Sequence, residues 1–216
     1  NIANFSASNA ATVGSSASVT QTGTTPSCGG GNPLPTDRGC VKQMIGYTLA
    51  LDAGSWFYIS VPSRASTTTI IDNLDPGLVV SRIDPSGAFT SIEVQCANSA
   101  TWHDVSGGLY ANTSLPAPCV GVANADPGLK TWNVTAIRWT APPGGPIQQQ
   151  NFFLEAPSTN PFSAADLPNF APLVPGTRFT NCFVATGGIN DTTCTEPMVD
   201  EPGTVKVNGS KWMIGN

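Results

Sequence analysis

The sequence is poor in charge and in the residues on which most enzyme chemistry depends. Charged residues make up 11% of its 216 residues, against roughly 25% in an average soluble domain. It contains one histidine, His103, so neither a histidine-rich metal site nor a histidine proton relay can be assembled from it. The nine lysines and arginines form no basic cluster, and the formal net charge is −5. Binding to nucleic acid or to an anionic membrane surface is therefore disfavoured.

Long apolar runs and common catalytic motifs are missing as well. No run reaches the roughly 18 apolar residues that a membrane span needs, so we expect no membrane span. The cysteines contain no CxxC pair, which argues against a zinc or thioredoxin-like site. No Gly-x-Ser-x-Gly nucleophile elbow accompanies the Thr101-Trp102-His103-Asp104 stretch. We expect a protein that is not an enzyme and that has no cofactor and no metal site.

The residues that are abundant describe an extracellular β-protein. Hydrophobic residues make up 40% of the chain, including 9 Phe, 5 Trp and 3 Tyr, which is enough for a real core. Ser and Thr form a fifth of the sequence, and it holds 22 Gly and 19 Pro. The low charge, the β-branched residues and the many turn formers together favour a secreted or cell-surface location.

The cysteine count is even, which is typical of a disulfide framework in a secreted chain. The simplest of the fifteen pairings is sequential, and each loop closed in this way contributes about 3 kcal/mol in the chain-entropy model. The alternative is a set of free, buried cysteines. The predicted pairs are Cys28–Cys40, Cys96–Cys119 and Cys182–Cys194.

Period-2 alternation of apolar residues indicates strands from Gln43 onward. Residues 43–51 and 92–96 alternate, and residues 56–61 are apolar on both faces, as in a buried strand. Trp132 to Trp139 also reads as one strand. Short strands between turn signals, without a convincing amphipathic helix, predict an all-β protein: an antiparallel Ig-like β-sandwich with disulfide-stapled loops and an extended N-terminal segment.

The first 36 residues contain no charged side chain. We divide the chain into an extended N-terminal segment (1–25), a β-sandwich domain (26–200) and a C-terminal strand or linker (201–216). A charge-free extended segment suits strand addition to the open edge of a neighbouring subunit, because burying a charge there would be costly. The alternatives are that residues 1–25 form the first strand of their own domain, or that residues 205–216 are the donor. The candidate donor-strand residues are Ile2, Phe5, Val13 and Val19.

Several segments, in this order, resemble a known repeat. They are Gly46-Tyr47-Thr48-Leu49, residues 71–78 (IDNLDPGL), Ile137-Arg138-Trp139, Pro142-Pro143-Gly144-Gly145 and residues 174–182 (VPGTRFTNC). Residues 43–186 are in this way similar to the DUF11 family, an Ig-like β-sandwich of bacterial and archaeal surface proteins. The sequence departs from it in the position of Pro76 and in an insertion around residues 98–128. The resemblance implies a structural or adhesive protein and carries no catalytic site.

Other residues suggest sites of modification or binding. Five Asn-x-Ser/Thr sequons are glycosylation candidates in a secreted chain: Asn4, Asn112, Asn133, Asn190 and Asn208. Tryptophans can stack on sugars; alternation makes Trp56, Trp132 and Trp139 core residues and leaves Trp102 and Trp212 freer. A calcium site at Asp72, Asp75 and Asp84, or a glycosidase pair Glu93 and Glu155, lacks a supporting pattern. The four lysines leave open an intramolecular Lys–Asn isopeptide bond.

The sequence thus favours a non-enzymatic extracellular structural protein. We expect the repeating subunit of a cell-surface filament, pilus-like or sheath-like, whose copies join in a homopolymer by β-strand complementation. The alternative is a monomeric adhesin or carbohydrate-binding module with surface glycans as its partner.

Overall fold

The computed structural model describes residues 2–5, 13–16, 40–46, 48–124 and 129–201, and within these ranges all regular structure is β-strand. None of the described residues belongs to a helix that could cross a membrane. The strands are β1 (Ile2–Phe5), β2 (Val13–Ser16), β3 (Val41–Met44), β4 (Thr48–Ala50), β5 (Gly54–Val61), β6 (Thr68–Asn73), β7 (Val79–Ile83), β8 (Ser91–Cys96), β9 (Trp102–Asp104), β10 (Gly121–Ala123), β11 (Lys130–Trp132), β12 (Val134–Ala141), β13 (Ile147–Glu155), β14 (Asn181–Gly187), β15 (Asp191–Thr195) and β16 (Met198–Asp200).

Twelve of these strands form two six-stranded antiparallel sheets. The first sheet has the order β10-β11-β7-β13-β5-β3, and the second has the order β15-β14-β6-β12-β8-β9. The short strands β4 and β16 pair in parallel, and β1 and β2 pair with each other. The predicted all-β, antiparallel sandwich class is confirmed.

The core lies between the two sheets because alternate side chains of each sheet point inward. Phe57 and Ile59 from β5 and Phe183 from β14 are completely buried, while their strand neighbours face outward. Trp139 from the second sheet packs on Phe152 from the first, with ring centroids 5.3 Å apart. The alternation read from the sequence therefore sets which face of each strand meets the opposite sheet.

The structure corrects two of the strand predictions. Residues 43–51 are not one strand, since the chain bends after Met44 at Ile45, which is 54% exposed, and at Gly46, whose φ is +112°. The stretch from Trp132 to Trp139 is divided between the sheets, because β11 pairs in the first sheet and β12 in the second. The chain changes sheets at Asn133, which lies between these strands and is completely buried.

Two disulfides match the pairing predicted from sequential order. Cys96–Cys119 joins the end of β8 in the second sheet to the loop before β10 in the first sheet. Cys182–Cys194 links directly opposed residues of β14 and β15. Cys40 is also disulfide-bonded, and Cys28 lies outside the described residues. The first disulfide holds the two sheets together and the second strengthens an edge hairpin.

Candidate functional site

Within the described ranges, four strands stand at the ends of the two sheets. They are β10 and β3 in the first sheet and β15 and β9 in the second. An edge strand presents unpaired backbone N–H and C=O groups, which is the template for strand addition. These edges are the first candidate site for interactions with other chains.

The N-terminal strands β1 and β2 form a hairpin that pairs with no other described strand. They are antiparallel, with a register running from Ile2 opposite Ser16 to Phe5 opposite Val13. A two-stranded hairpin on its own is at best marginally stable in water. The hairpin includes the predicted donor residues Ile2, Phe5 and Val13, whereas Val19 and the alternative donor at residues 205–216 lie outside the described residues.

A second candidate site is a buried ion pair that spans the two sheets. Lys42 comes from β3 of the first sheet and Asp72 from β6 of the second, and both side chains are 0% exposed. Lys42 Nζ donates a hydrogen bond to Asp72 Oδ2. Burial lowers the pKa of Lys42 against the opposing effect of the Asp72 charge. Burial likewise raises the pKa of Asp72 against the effect of Lys42. Both directions favour the neutral amine and the neutral acid.

Asn181 adds a third polar group to the same inner face. It is 1% exposed, and within the described part of the chain neither its Oδ1 nor its Nδ2 has a hydrogen-bond partner, which is also true of Asp72 Oδ1. Each such group costs about 1–3 kcal/mol when buried unsatisfied. In the register of β14 with β6, Phe183 lies opposite Asp72. Asn181 is two residues from Phe183, so it is the diagonal neighbour of Asp72 on the inward face of the second sheet.

We name Lys42, Asp72 and Asn181 the interior polar cluster. Sequence reasoning missed it as a set, although one signal was present. Lys42 occupies an inward position two residues from the buried Met44, and a lysine on the inner face of a sandwich strand calls for a partner. Which residues meet it depends on the packing of the second sheet.

A third candidate site is an aromatic row on the outer face of the first sheet. Arg82, Phe153 and Trp56 are register partners across β7, β13 and β5. The Trp56 and Phe153 rings meet edge to face with centroids 5.3 Å apart, and the Arg82 guanidinium lies 5.1 Å from the Trp56 ring centroid. Tyr110 covers the same guanidinium at 5.2 Å. All four side chains are only partly buried.

Polar side chains form the adjacent row of this outer face. Asn151 pairs with Tyr58, and Tyr58 pairs with Gln43, in the registers of β13, β5 and β3. The Tyr58 hydroxyl donates to Gln43 Oε1, and Asn151 Nδ2 lies 3.5 Å from Asp84 Oδ2. Half-exposed rings beside amides and a hydroxyl can stack on a sugar ring and hydrogen bond to its hydroxyl groups.

The tryptophans are distributed differently from the prediction in one respect. Trp132 and Trp139 are 2% and 0% exposed and lie in the core as expected. Trp56 was also expected there, but it lies on the outer face because its strand is covered on one side only. Trp102 is half-buried beneath the Arg138 guanidinium, 4.3 Å from its ring centroid. Trp212 lies outside the described residues.

The sequons fall into different environments. Asn112 and Asn190 are exposed, whereas Asn4 lies in β1 and Asn208 lies outside the described residues. Asn133 is 0% exposed. Its Oδ1 accepts from the Val120 amide at 2.7 Å, and its Nδ2 donates to two backbone carbonyls. A glycan on Asn133 is incompatible with this fold, because its amide nitrogen is buried and hydrogen-bonded, so this sequon is corrected to a structural residue.

The carboxylates considered for calcium do not come together. Asp72 is in the interior polar cluster, while Asp75 accepts from the Gly77 amide at 2.9 Å within a turn. Asp84 pairs with Arg82 at 3.0 Å. Within the described part of the chain, no three His, Cys, Asp or Glu residues are grouped so as to hold a metal ion.

The remaining catalytic candidates are also separated. The Asp104 carboxylate accepts hydrogen bonds from the backbone N–H and the hydroxyl group of Ser106. These hydrogen bonds do not orient His103. Glu93 belongs to the second sheet and forms a two-pronged ion pair with Arg138. Glu155 belongs to the first sheet. The two carboxylates do not form a pair across one cleft.

The comparisons with known proteins add no further constraint on the site. No protein-family model matches the chain, and no curated protein matches it either.

Proposed function

We propose that this chain is a non-enzymatic extracellular structural protein, the repeating subunit of a cell-surface filament assembled by β-strand complementation. The observation that carries the proposal is the β1–β2 hairpin, which hydrogen bonds to no other described strand, while four of the described strands end the two sheets. A hairpin of this kind gains stability by adding to a sheet edge. Its segment has no charged side chain, so no charge is buried when it docks.

Docking onto a neighbouring copy would propagate. The hairpin of one subunit and the edge of the next are different surfaces, so the contact is heterologous and forms an open polymer unless the rotation closes a ring. The two disulfides are consistent with an oxidising extracellular environment. The resemblance of residues 43–186 to a surface-protein repeat points the same way, and it rests on the motifs quoted above.

Electron microscopy of the purified chain tests this proposal, with the full chain compared to a variant lacking residues 1–25. We expect filaments from the full chain and a folded monomer from the truncated chain. A Phe5→Asp variant should block assembly by placing a charge in the docked segment, and Phe5→Leu is its matched control. Monodisperse particles from both the full and the truncated chain would refute strand exchange.

The aromatic row favours a second candidate function, glycan binding by a monomeric adhesin or carbohydrate-binding module. Trp56, Phe153 and Tyr58 lie beside polar side chains on one outer face. Screening the truncated monomer on a glycan array tests it. We expect Trp56→Ala to abolish any saturable binding and Trp102→Ala, in the other sheet, to leave it unchanged. Binding that survives Trp56→Ala would exclude this face.

A further inference from the structure

We propose that Lys42 and Asn181 become joined by an intramolecular isopeptide bond, formed by the protein itself with Asp72 as the catalytic carboxyl group. Nothing in this inference depends on filament assembly or on glycan binding. It concerns a covalent modification inside the interior polar cluster. Three properties of the cluster support it: the positions of the side chains, their burial and their unmade hydrogen bonds.

The sheet order places Asn181 beneath the path of the lysine side chain. Strand β3, which carries Lys42, lies close to β15 at the edge of the second sheet. The next strands inward are β14, which carries Asn181, and then β6, which carries Asp72. Since the Lys42 nitrogen hydrogen bonds to Asp72, the sheet order implies that the lysine side chain passes β14 on its way to β6. Asn181 faces inward on the strand that is passed.

The register gives the same placement independently. Phe183 lies opposite Asp72, so Asn181 is its diagonal neighbour on the same face. Diagonal neighbours across antiparallel strands have Cα atoms about 7–8 Å apart, within reach of long side chains. The side-chain amide of Asn181 therefore lies within reach of the carboxyl group to which the Lys42 nitrogen donates a hydrogen bond.

The surroundings suit attack of an amine on a carboxamide. Lys42 and Asp72 are both fully buried, and burial favours the neutral amine, which is the nucleophilic form. The raised pKa of Asp72 favours the protonated acid, which can donate a proton to the carboxamide oxygen. Burial of the three side chains limits the access of water, which protects the reaction from competing hydrolysis.

The reaction balances without an added reagent. The Lys42 nitrogen forms a bond to the Asn181 side-chain carbon, and the carbon–Nδ2 bond of Asn181 breaks. Asp72 accepts a proton from the attacking nitrogen and returns one to the departing nitrogen, so ammonia leaves. The product is a secondary amide between the two side chains, and no atom is oxidised or reduced.

The unmade hydrogen bonds distinguish Asn181 from other buried amides. Both of its side-chain polar atoms lack a hydrogen-bond partner among the described residues. By contrast, Asn133 is equally buried, yet its side chain makes three hydrogen bonds to the backbone. Loss of ammonia removes the unpartnered Nδ2 and leaves one amide N–H that can donate to Asp72. The product is a secondary amide that cannot take up a proton near neutral pH, so it is better suited to an apolar core than a lysine side chain is.

The crosslink would close the sandwich on the side away from Cys96–Cys119. That disulfide ties β8 to the loop before β10, near one pair of sheet edges. Lys42 and Asn181 tie β3 to β14 near the other pair. Pulling the two sheets apart would then require breaking a covalent bond at each of the two pairs of sheet edges.

Intact mass spectrometry of the full chain tests the proposal, using protein made in a host that does not glycosylate it and then reduced to open the disulfides. We expect a mass lower than the sequence mass by one ammonia molecule. A tryptic digest should then join residues 39–64 to residues 179–206, because trypsin does not cleave after an acylated Lys42. A mass equal to the sequence mass, or an ammonia loss with these peptides separate, overturns the proposal.

Variants separate the roles of the three residues. Lys42→Arg and Asn181→Ala should each have the full sequence mass, whereas the control Lys130→Arg should still lose ammonia. Asp72→Asn should remain mainly uncrosslinked when circular dichroism shows that it is folded. Complete crosslinking of folded Asp72→Asn would refute the catalytic role of Asp72. If a variant fails to fold, the mass and digest of the unaltered chain still decide the proposal.

Discussion

Replacing Lys42 with methionine should leave Asp72 as an uncompensated buried carboxylate. Asp72 is 0% exposed, and among the described residues its carboxylate accepts one side-chain hydrogen bond, from Lys42. Removing one partner of a buried ion pair costs about 3–5 kcal/mol at neutral pH, whereas replacing both with neutral groups is far less costly. We therefore expect Lys42→Met to be about 3 kcal/mol less stable at neutral pH than the double variant Lys42→Met/Asp72→Asn. Neither variant can form the crosslink, so the comparison isolates the carboxylate.

The difference between these two variants should depend on pH. Burial raises the pKa of Asp72, and removing the lysine takes away the charge that opposed this rise. A raised folded-state pKa means that the unfolded chain releases its proton first as the pH increases. Below the unfolded-state pKa of about 3.9, Lys42→Met should thus be as stable as the double variant. Above this pH, the free energy of unfolding of Lys42→Met should fall relative to the double variant by up to about 1.4 kcal/mol per pH unit, until Asp72 also ionises in the folded state.

Urea denaturation of both variants at a series of pH values provides the measurement. The two transitions should coincide near pH 4 and separate as the pH rises, with Lys42→Met unfolding at the lower urea concentration. Other titrating groups are common to both variants, so their contributions cancel in the difference. Equal stability at neutral pH, or a difference that does not change with pH, would refute the assignment of Asp72 as a buried, desolvated carboxyl group.

Three further predictions concern the fold. Gly188→Ala should destabilise the protein by about 1–3 kcal/mol, because the added Cβ would lie 2.2 Å from a backbone oxygen; Gly107→Ala, with nothing within 4 Å, is the matched control in the same denaturation assay. Asn133→Ala should lower the free energy of unfolding by about 2–4 kcal/mol, since it removes three hydrogen bonds to the backbone. In the unaltered chain, peptide mapping after expression in a glycosylating host should find no glycan on Asn133. Replacing both Cys96 and Cys119 with alanine should lower stability by about 3 kcal/mol and the Tm by about 6–12 °C; an unchanged Tm would contradict a stabilising role for this disulfide.

Much of the fold could be read from the sequence because its information is local. The alternation at residues 92–96 identifies the inward face of β8, and Ile92 and Val94 are indeed fully buried. The cysteines at residues 96 and 119 were paired correctly from their order alone. The alternation pattern gave a wrong strand where the chain changes direction between the sheets. The stretch from Trp132 to Trp139 alternates as one strand would, but the chain crosses from one sheet to the other at Asn133.

The candidate sites were less accessible from the sequence because they combine distant residues. Trp56 lies on the outside because the opposite face of β5 meets the other sheet. Since β5 has apolar residues on both faces, its sequence does not show which face is the inner one.

The sequence by itself determined the β-class, the even cysteine count and the charge-free N-terminal segment. These properties depend on composition and on residues a few positions apart. Only the tertiary structure decided that Lys42 meets Asp72 and that Asn181 faces inward on the strand beside Asp72. They come from strands β3, β6 and β14 in two different sheets, and their placement depends on sheet order, register and the packing of one sheet on the other. No local pattern encodes that arrangement, because a strand's alternation specifies which side faces the core but not which residue it finds there.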